Sequence, residues 1–372
     1  MKSNQNKPIH GISFNKSLVD GSIKSLFDEL FRILKDLLLA TGGDINESIQ
    51  WIHELDRKFQ FTTPNYGMAD FLRDLENQGY IRTDHRNPKA ATKLSSKMEL
   101  ALRKGAFEEL FGTILKAKPG RHNTNKQGKG DEWSGDLKPY QFGDNLERIN
   151  AHESIKNALM NPYTDQFSLT ENDLFIQQSF DQSQTSTVLM IDISHSMILY
   201  GEDRITPAKK VGLALAQMLI QFYPKDTLDI LVFGDDAWKI ELKDLPYLQV
   251  GPYHTNTVAG LELAINLLNK RKNPNKKIMM ITDGKPTCIK KGNEYYKNSF
   301  GLDRQILNRT LALATKCRKL GIDITTFMVA TDPFLIEFVE AFSKANQGKA
   351  FYTALDGLGE QILINYRDEK KQ

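Results

Sequence analysis

Two kinds of hydrophobic patterning divide the chain. Over residues 20–112 apolar positions recur three and four apart, and Leu26, Leu30, Ile33, Leu34, Leu37 and Leu38 line one face of a predicted helix that Gly42 and Gly43 stop. Such a face must be buried. From residue 187 short apolar or β-branched runs (TVLMID, LDILVF, AWKIEL, KKIMMIT, IDITTFMV, KAFYT) alternate with longer helical stretches such as PAKKVGLALAQMLIQF and LDRQILNRTLALATKCRKLG. Continuous apolar strands separated by helices predict a doubly wound, mainly parallel α/β sheet covered on both faces. The only hairpin read from this region, LDILVF with AWKIEL, supplies one antiparallel edge strand.

Between these halves, KAKPGRHNTNKQGKGDEWSGD (116–136) is rich in Lys, Gly and Asn and nearly devoid of apolar residues, the composition of a mobile linker. The expected layout is a tail over 1–19, a helical domain over 20–112 that folds by itself and a flexible basic linker over 113–136. A connecting segment over 137–184 packs on the α/β domain of 185–360, and 361–372 form a C-terminal tail. Within the first domain, MADFLRDLENQGYIRTDHRNPKAATKLSSKMELALRKGAFEELF sets a helix, a strand start, a polar Pro-containing hairpin and a second helix in the order of a winged helix. Asp70, Asp74, Glu76 and Asp84 dilute its basic groups and weaken a DNA-binding reading.

Composition narrows the classes. At 372 residues, 40% hydrophobic and 26% charged, the chain is an ordinary globular protein long enough for two cores. A net charge of +3 is too small to argue for nucleic acid or an anionic membrane. Cys288 and Cys317 form no CxxC and sit in no histidine cluster, so neither a disulfide framework nor a zinc site is expected. The most apolar stretch, SLFDELFRILKDLLLA, carries Asp28, Glu29, Arg32, Lys35 and Asp36, short of the run of about 18 apolar residues that a membrane span requires. A cytoplasmic location is expected.

The candidate chemistry begins in VLMIDISHSM, residues 188–197. Asp192 closes the first strand of the α/β domain, at the edge where open parallel sheets bind ligands. If the segment stays extended, Asp192, Ser194 and Ser196 project to one side and His195 to the other. One carboxylate with hydroxyls has too little charge for a tight calcium cage but suits Mg2+ or Mn2+, which retain waters. TNTVAG opens a helix and KKIMMIT runs into Asp283, both at the same sheet edge.

DISHS, TNT and ITDG match, in order and spacing, the metal-ion-dependent adhesion site of von Willebrand factor A domains, which residues 185–355 resemble. The resemblance implies Asp192, Ser194, Ser196, Thr255 and Asp283 as metal ligands, directly or through water, with Thr257 the alternative to Thr255. Asp235 and Asp236 follow LDILVFG at a hairpin, where a turn role suffices. His195 and His254 are read as packing or rim residues. The place that a dehalogenase-type phosphatase gives a second Asp holds Ser194, and the chain has no GxSxG, GxxxxGK[ST] or GxGxxG. No enzymatic turnover is expected.

Upstream, KLSSKMELALRKGAFEELFG, YQFGDNLERINAHESIKNAL and LTENDLFIQQSF resemble bacterial cytoplasmic proteins that carry this A domain at their C-terminus and are similar to subunits working beside AAA+ ATPases of the magnesium-chelatase clade. The resemblance implies a metal-dependent adaptor. Its partner, an AAA+ ATPase or that ATPase's client, offers an Asp or Glu to the metal. The alternatives are a non-catalytic subunit of a chelatase-like metal-insertion complex and a winged-helix regulator.

Overall fold

The computed structural model describes residues 23–82, 93–116, 127–141, 146, 149–160, 169–180, 184–201, 203–283, 285–298, 303–328 and 333–352. The expected tails at 1–19 and 361–372, the hairpin tip within 83–92 and Gly284 lie outside these residues.

The N-terminal region is helical: α1 (Ile23–Ala40), α2 (Ile45–Phe59) and α3 (Met68–Asn77), then the antiparallel pair β1 (Ile81–Arg82) and β2 (Lys93–Leu94), then α4 (Ser96–Lys116). The stripe on α1 is buried as its spacing predicts, with Leu30, Leu34 and Leu38 fully inaccessible, each such side chain worth about 1.5–3 kcal/mol of burial. Asp44 caps α2, its carboxylate accepting from the Glu47 amide at 3.0 Å.

Of the expected linker over 113–136, the described residues lie in regular elements: α4 runs to Lys116 and a strand, β3, spans Gln127–Pro139, while 117–126 lie outside the described residues. Next come α5 (Ala151–Leu159) and β4 (Phe175–Phe180), which pairs antiparallel with β3. The described residues of 120–184 form a compact unit separate from the one built by 1–119 and 185–365.

The larger unit continues with β5 (Thr185–Asp192), α6 (Ile205–Phe222), β6 (Thr227–Phe233), β7 (Ala237–Ile240), α7 (Thr257–Asn269) and β8 (Asn275–Thr282). A hairpin of β9 (Cys288–Lys291) and β10 (Glu294–Lys297) precedes α8 (Arg304–Lys319), β11 (Ile322–Met328), α9 (Pro333–Asn346) and β12 (Lys349–Tyr352). Six strands make one sheet in the order β12-β11-β8-β5-β6-β7, parallel except for β7. Strand β5 is buried at every position, which is why TVLMID reads as a continuous apolar run. Val188, Met190, Phe233, Ile278 and Met280 pack with Leu261, Ala264 and Leu268 of α7 on one face. On the other, α6 approaches so closely that a Cβ on Gly212 would come within 2.7 Å of Leu245 and 3.2 Å of Leu189. The β9–β10 hairpin adds to the single hairpin read from sequence. Gly292 takes a φ of +63° at the first position of its two-residue Gly292-Asn293 turn.

The helical region does not stand apart from the α/β domain. Lys210 of α6 bridges Asp36 of α1 and Glu109 of α4, both at 2.8 Å. Lys209, 1% exposed, donates to the Leu39 carbonyl at 2.8 Å and the Pro246 carbonyl at 3.4 Å. The Phe107 ring meets Phe222 at 6.1 Å. The described residues of 20–112, expected to fold by themselves, share a compact unit with the sheet. Among the described residues, no helix is long and apolar enough to cross a membrane.

Candidate metal centre

Strand register fixes where the chemistry sits. Asp192 lies opposite Phe233 and Ile191 opposite Ile281, so the carboxyl ends of β5, β6 and β8 finish at one edge. The chain leaves β5 and turns at once, because the Ser194 amide donates to Asp192 Oδ1 at 2.8 Å and a 3-10 helix begins at His195. Ser196 thus reaches the cluster through a helical turn rather than through the extended alternation read from the sequence. The backbone is pinned from outside as well: the Ile193 amide donates to the Phe233 carbonyl at 3.0 Å and the His195 amide to the Tyr253 carbonyl at 3.0 Å.

All five candidate residues come together in one hydrogen-bonded cluster. Thr255 Oγ1 donates to Ser194 Oγ at 3.0 Å, the Ser194 and Ser196 hydroxyls lie 3.0 Å apart, and Ser196 Oγ donates to Asp283 Oδ1 at 2.7 Å. With the Ser194 amide on Asp192, the chain of contacts runs unbroken from Asp192 to Asp283. It is Thr255, rather than Thr257 at the start of α7, whose hydroxyl reaches the comb. Its loop is held by the Thr255 amide on Thr287 Oγ1 at 3.0 Å and by Asn256, whose side chain caps α7 through the Ala259 amide.

Asp235 has more than a turn role. Its Oδ1 accepts from the His254 amide at 2.8 Å and its Oδ2 pairs with Lys297 at 2.7 Å, so it anchors the residue before Thr255 to the β9–β10 hairpin. Burial raises its pKa, but Lys297 and the His254 amide outweigh burial and hold the carboxyl below its ordinary value. Asp236 accepts from the Tyr295 hydroxyl. His195 is exposed and His254 half-buried, as rim residues would be.

Two further residues shape the site and escaped sequence reasoning. Thr282, next to Asp283, donates to Asp192 Oδ2 at 2.6 Å. Arg204, at the N-terminus of α6, places Nη1 2.6 Å from Asp283 Oδ2. The signal for Thr282 was its hydroxyl at a strand end; for Arg204 no local pattern existed.

Electrostatically the cluster is short of positive charge. Asp192 and Asp283 are 0% and 2% exposed. Burial, and then the neighbouring Asp283 charge, push Asp192 up to about 7 against the hydrogen bonds from Ser194 and Thr282. Asp283 is also raised, chiefly by burial, with the Ser196 hydroxyl and Arg204 opposing. Hydroxyls and carboxylates are hard oxygen donors of the kind that hold Mg2+ or Mn2+. The donor set and its surplus negative charge therefore fit a divalent cation. Among the described residues no group of three or more His, Cys, Asp or Glu side chains gathers, and this cluster itself brings two carboxylates together with hydroxyls.

Residues 185–367 match the family model described as Rv0959-like protein, vWA domain, and residues 132–179 match that of the Rv0959-like protein, third domain. The chain is 27% identical over 308 residues to the uncharacterized proteins Rv0959 of Mycobacterium tuberculosis and Mb0984 of Mycobacterium bovis. The match covers 80% of this chain and 45% of each relative, so the chain spans about half the length of the curated relatives it matches. Similar solved structures include a point mutant of the PilB minor pilin of Streptococcus sanguinis (TM-score 0.45, 12% identity, covering 53% of this chain and 64% of that one). Another is the vWF domain of the type V pili tip protein Mfa5 of Porphyromonas gingivalis (TM-score 0.43, 12% identity, covering 51% and 97%).

Proposed function

We propose, for a chain whose residues 185–367 are a von Willebrand factor A domain, that the cluster at the end of β5 makes a metal-dependent protein-binding site and that the protein acts as an adaptor without turnover of its own. The observation that carries this reading is the union of Asp192, Ser194, Ser196, Thr255 and Asp283 in one cluster whose two carboxylates have, among the described residues, a single cationic partner between them.

In this reading Asp192 and Asp283 supply the charge that holds Mg2+ or Mn2+, while Ser194, Ser196 and Thr255 supply neutral oxygens, directly or through water. The bound cation offers an open coordination position to a carboxylate from another protein. Thr282 and the Ser194 amide orient Asp192, and Asp235 orients the Thr255 loop. Nothing in the cluster is placed as a nucleophile with a base, which is why binding rather than catalysis is proposed. The partner is an AAA+ ATPase or its client in the cytoplasm, presenting an Asp or Glu, as the resemblance of the upstream segments suggests.

Calorimetry with MgCl2 and MnCl2 tests the metal, and pull-down from the source cell with Mg2+ or EDTA tests the partner. The wild type should bind metal and Asp192→Ala and Asp283→Ala should not; unchanged affinity in both variants defeats the assignment. Capture of an ATPase that survives EDTA defeats the metal-dependent adaptor. Tetrapyrrole metal insertion by the captured complex would favour the chelatase-like alternative.

A further inference from the structure

Arg204 is not among the residues that the sequence pattern brings to the site, yet it is the one cation touching it among the described contacts. Its Nη1 lies 2.6 Å from Asp283 Oδ2, with the Arg204 side chain 13% exposed and that of Asp283 inaccessible. Its amide donates to the Met197 carbonyl at 3.0 Å, which ties the same residue to the turn that carries Ser196. Both Asp283 oxygens are thereby engaged, Oδ1 by the Ser196 hydroxyl and Oδ2 by the guanidinium.

This arrangement sets up a competition. A divalent cation drawing on Asp283 must share that carboxylate with a fixed positive charge a few ångström away, and the two cations repel. An arginine cannot relieve the conflict by losing its proton. Its backbone is anchored at the Met197 turn and at the start of α6, and its largely buried side chain is held at Asp283 Oδ2, so the charge stays beside that carboxylate. In the cation-free protein the same guanidinium offsets part of the mutual repulsion of Asp192 and Asp283 and so keeps the site assembled.

We propose that Arg204 is a tethered counter-cation that weakens the affinity of this site for divalent cations while holding the cation-free site in shape. The inference rests on the metal-binding reading above and goes beyond it, because it assigns the setting of affinity to a residue outside the ligand set.

The test uses the full-length chain as wild type, Arg204→Gln, Arg204→Lys and, as a reference, Asp192→Ala. Each is titrated with MgCl2 by calorimetry and melted in EDTA and in MgCl2. Removing a unit charge close to the ion, at an effective dielectric near 20, should tighten Mg2+ binding by about tenfold or more in Arg204→Gln. Arg204→Lys, which keeps the charge, should stay within about threefold of the wild type. In EDTA the Gln variant should melt below the wild type, and MgCl2 should raise its melting temperature by more. Equal Mg2+ affinity in wild type and Arg204→Gln, weaker binding in Arg204→Gln, or equal tightening in the Lys and Gln variants would each overturn the proposal. Were wild type, Gln and Lys variants all as inert to Mg2+ as Asp192→Ala, the metal-binding reading itself would fall, an outcome distinct from metal binding that Arg204 does not influence.

Discussion

Asp192 and Asp229 stand on adjacent strands of one sheet, 0% and 3% exposed, and their surroundings are opposite in kind. Asp229, near the start of β6, is gripped by Arg271 through Nε at 2.9 Å and Nη2 at 2.6 Å, and by Lys239 at 2.7 Å. Burial raises its pKa, but the hydrogen bonds and charges of Arg271 and Lys239 overcome burial and leave the carboxyl below its ordinary value. Asp192, at the far end of β5, meets a backbone amide and a hydroxyl, with a second carboxylate nearby. The fold completes the charge pairing at one end of its sheet and leaves it incomplete at the other. A buried carboxylate without a cation beside it is the feature on which the proposed metal site rests.

The sharpest way to break this contrast is to neutralise each aspartate in turn. Asp229→Asn should cost about 3 kcal/mol in urea denaturation, near the low end for breaking a buried ion pair because both cations are partly solvated. A cost near zero would mean that Asp229 is not a structural pair. The pH dependence follows from the same residue. Because the folded carboxyl titrates below the unfolded value of about 4, its stabilisation is present above that pH and is lost as pH falls through the folded value. The acid side of the stability profile should accordingly be shallower in Asp229→Asn than in wild type.

Next in size is the response to metal. Mg2+ at about one hundred times its dissociation constant should stabilise the wild type by about 2.7 kcal/mol over EDTA, and Asp192→Asn should abolish the gain. A thermal melt in both buffers reads this directly. The sign then reverses for Asp192→Asn in EDTA at pH 8, where loss of an under-compensated buried charge should stabilise the fold by about 1.5 kcal/mol. A loss of stability there would place Asp192 with Asp229 among the structural carboxylates. The smallest effect is expected of Thr282→Val, about 1 kcal/mol or less of stability with a few-fold weaker Mg2+ binding, since one donor to Asp192 disappears without a change of volume.

Much of the sheet was legible because burial on both faces writes itself into composition: TVLMID and KKIMMIT are apolar throughout, and their ends point to the edge. Asp192, Ser194, Thr255 and Asp283 could be gathered by placing strand ends side by side. Ser196 was named for a reason the structure replaces, since the chain curls into a 3-10 turn where alternation was assumed. Thr282 was legible in principle from its hydroxyl at the end of β8, whereas Arg204, whose partner lies 79 residues away, sits at no strand end and carries no periodicity. The β9–β10 hairpin was legible in principle, as Gly292-Asn293 between short runs is a hairpin signal. So was the union of helices and sheet. PAKKVGLALAQMLIQF is apolar around most of its circumference, and a helix of that kind is covered on both sides; one side is the sheet, and the other is α1 and α4.

That covering helix separates two notions of a module. The match to the vWA-domain family model begins at residue 185, as though the A domain were a cassette, although a second family model matches residues 132–179. The buried Lys209 ammonium, pushed down to about 8 mainly by its burial, draws a different boundary, because one of the carbonyls it serves belongs to Leu39 at the end of α1. A fragment cut at Thr185 would carry every residue of the proposed site and yet open the flank of α6, leaving Lys209 without that acceptor and Lys210 without Asp36 and Glu109. The stretch that one family model matches and the stretch that packs together as a unit are here two different lengths of chain, and α6 is where they diverge.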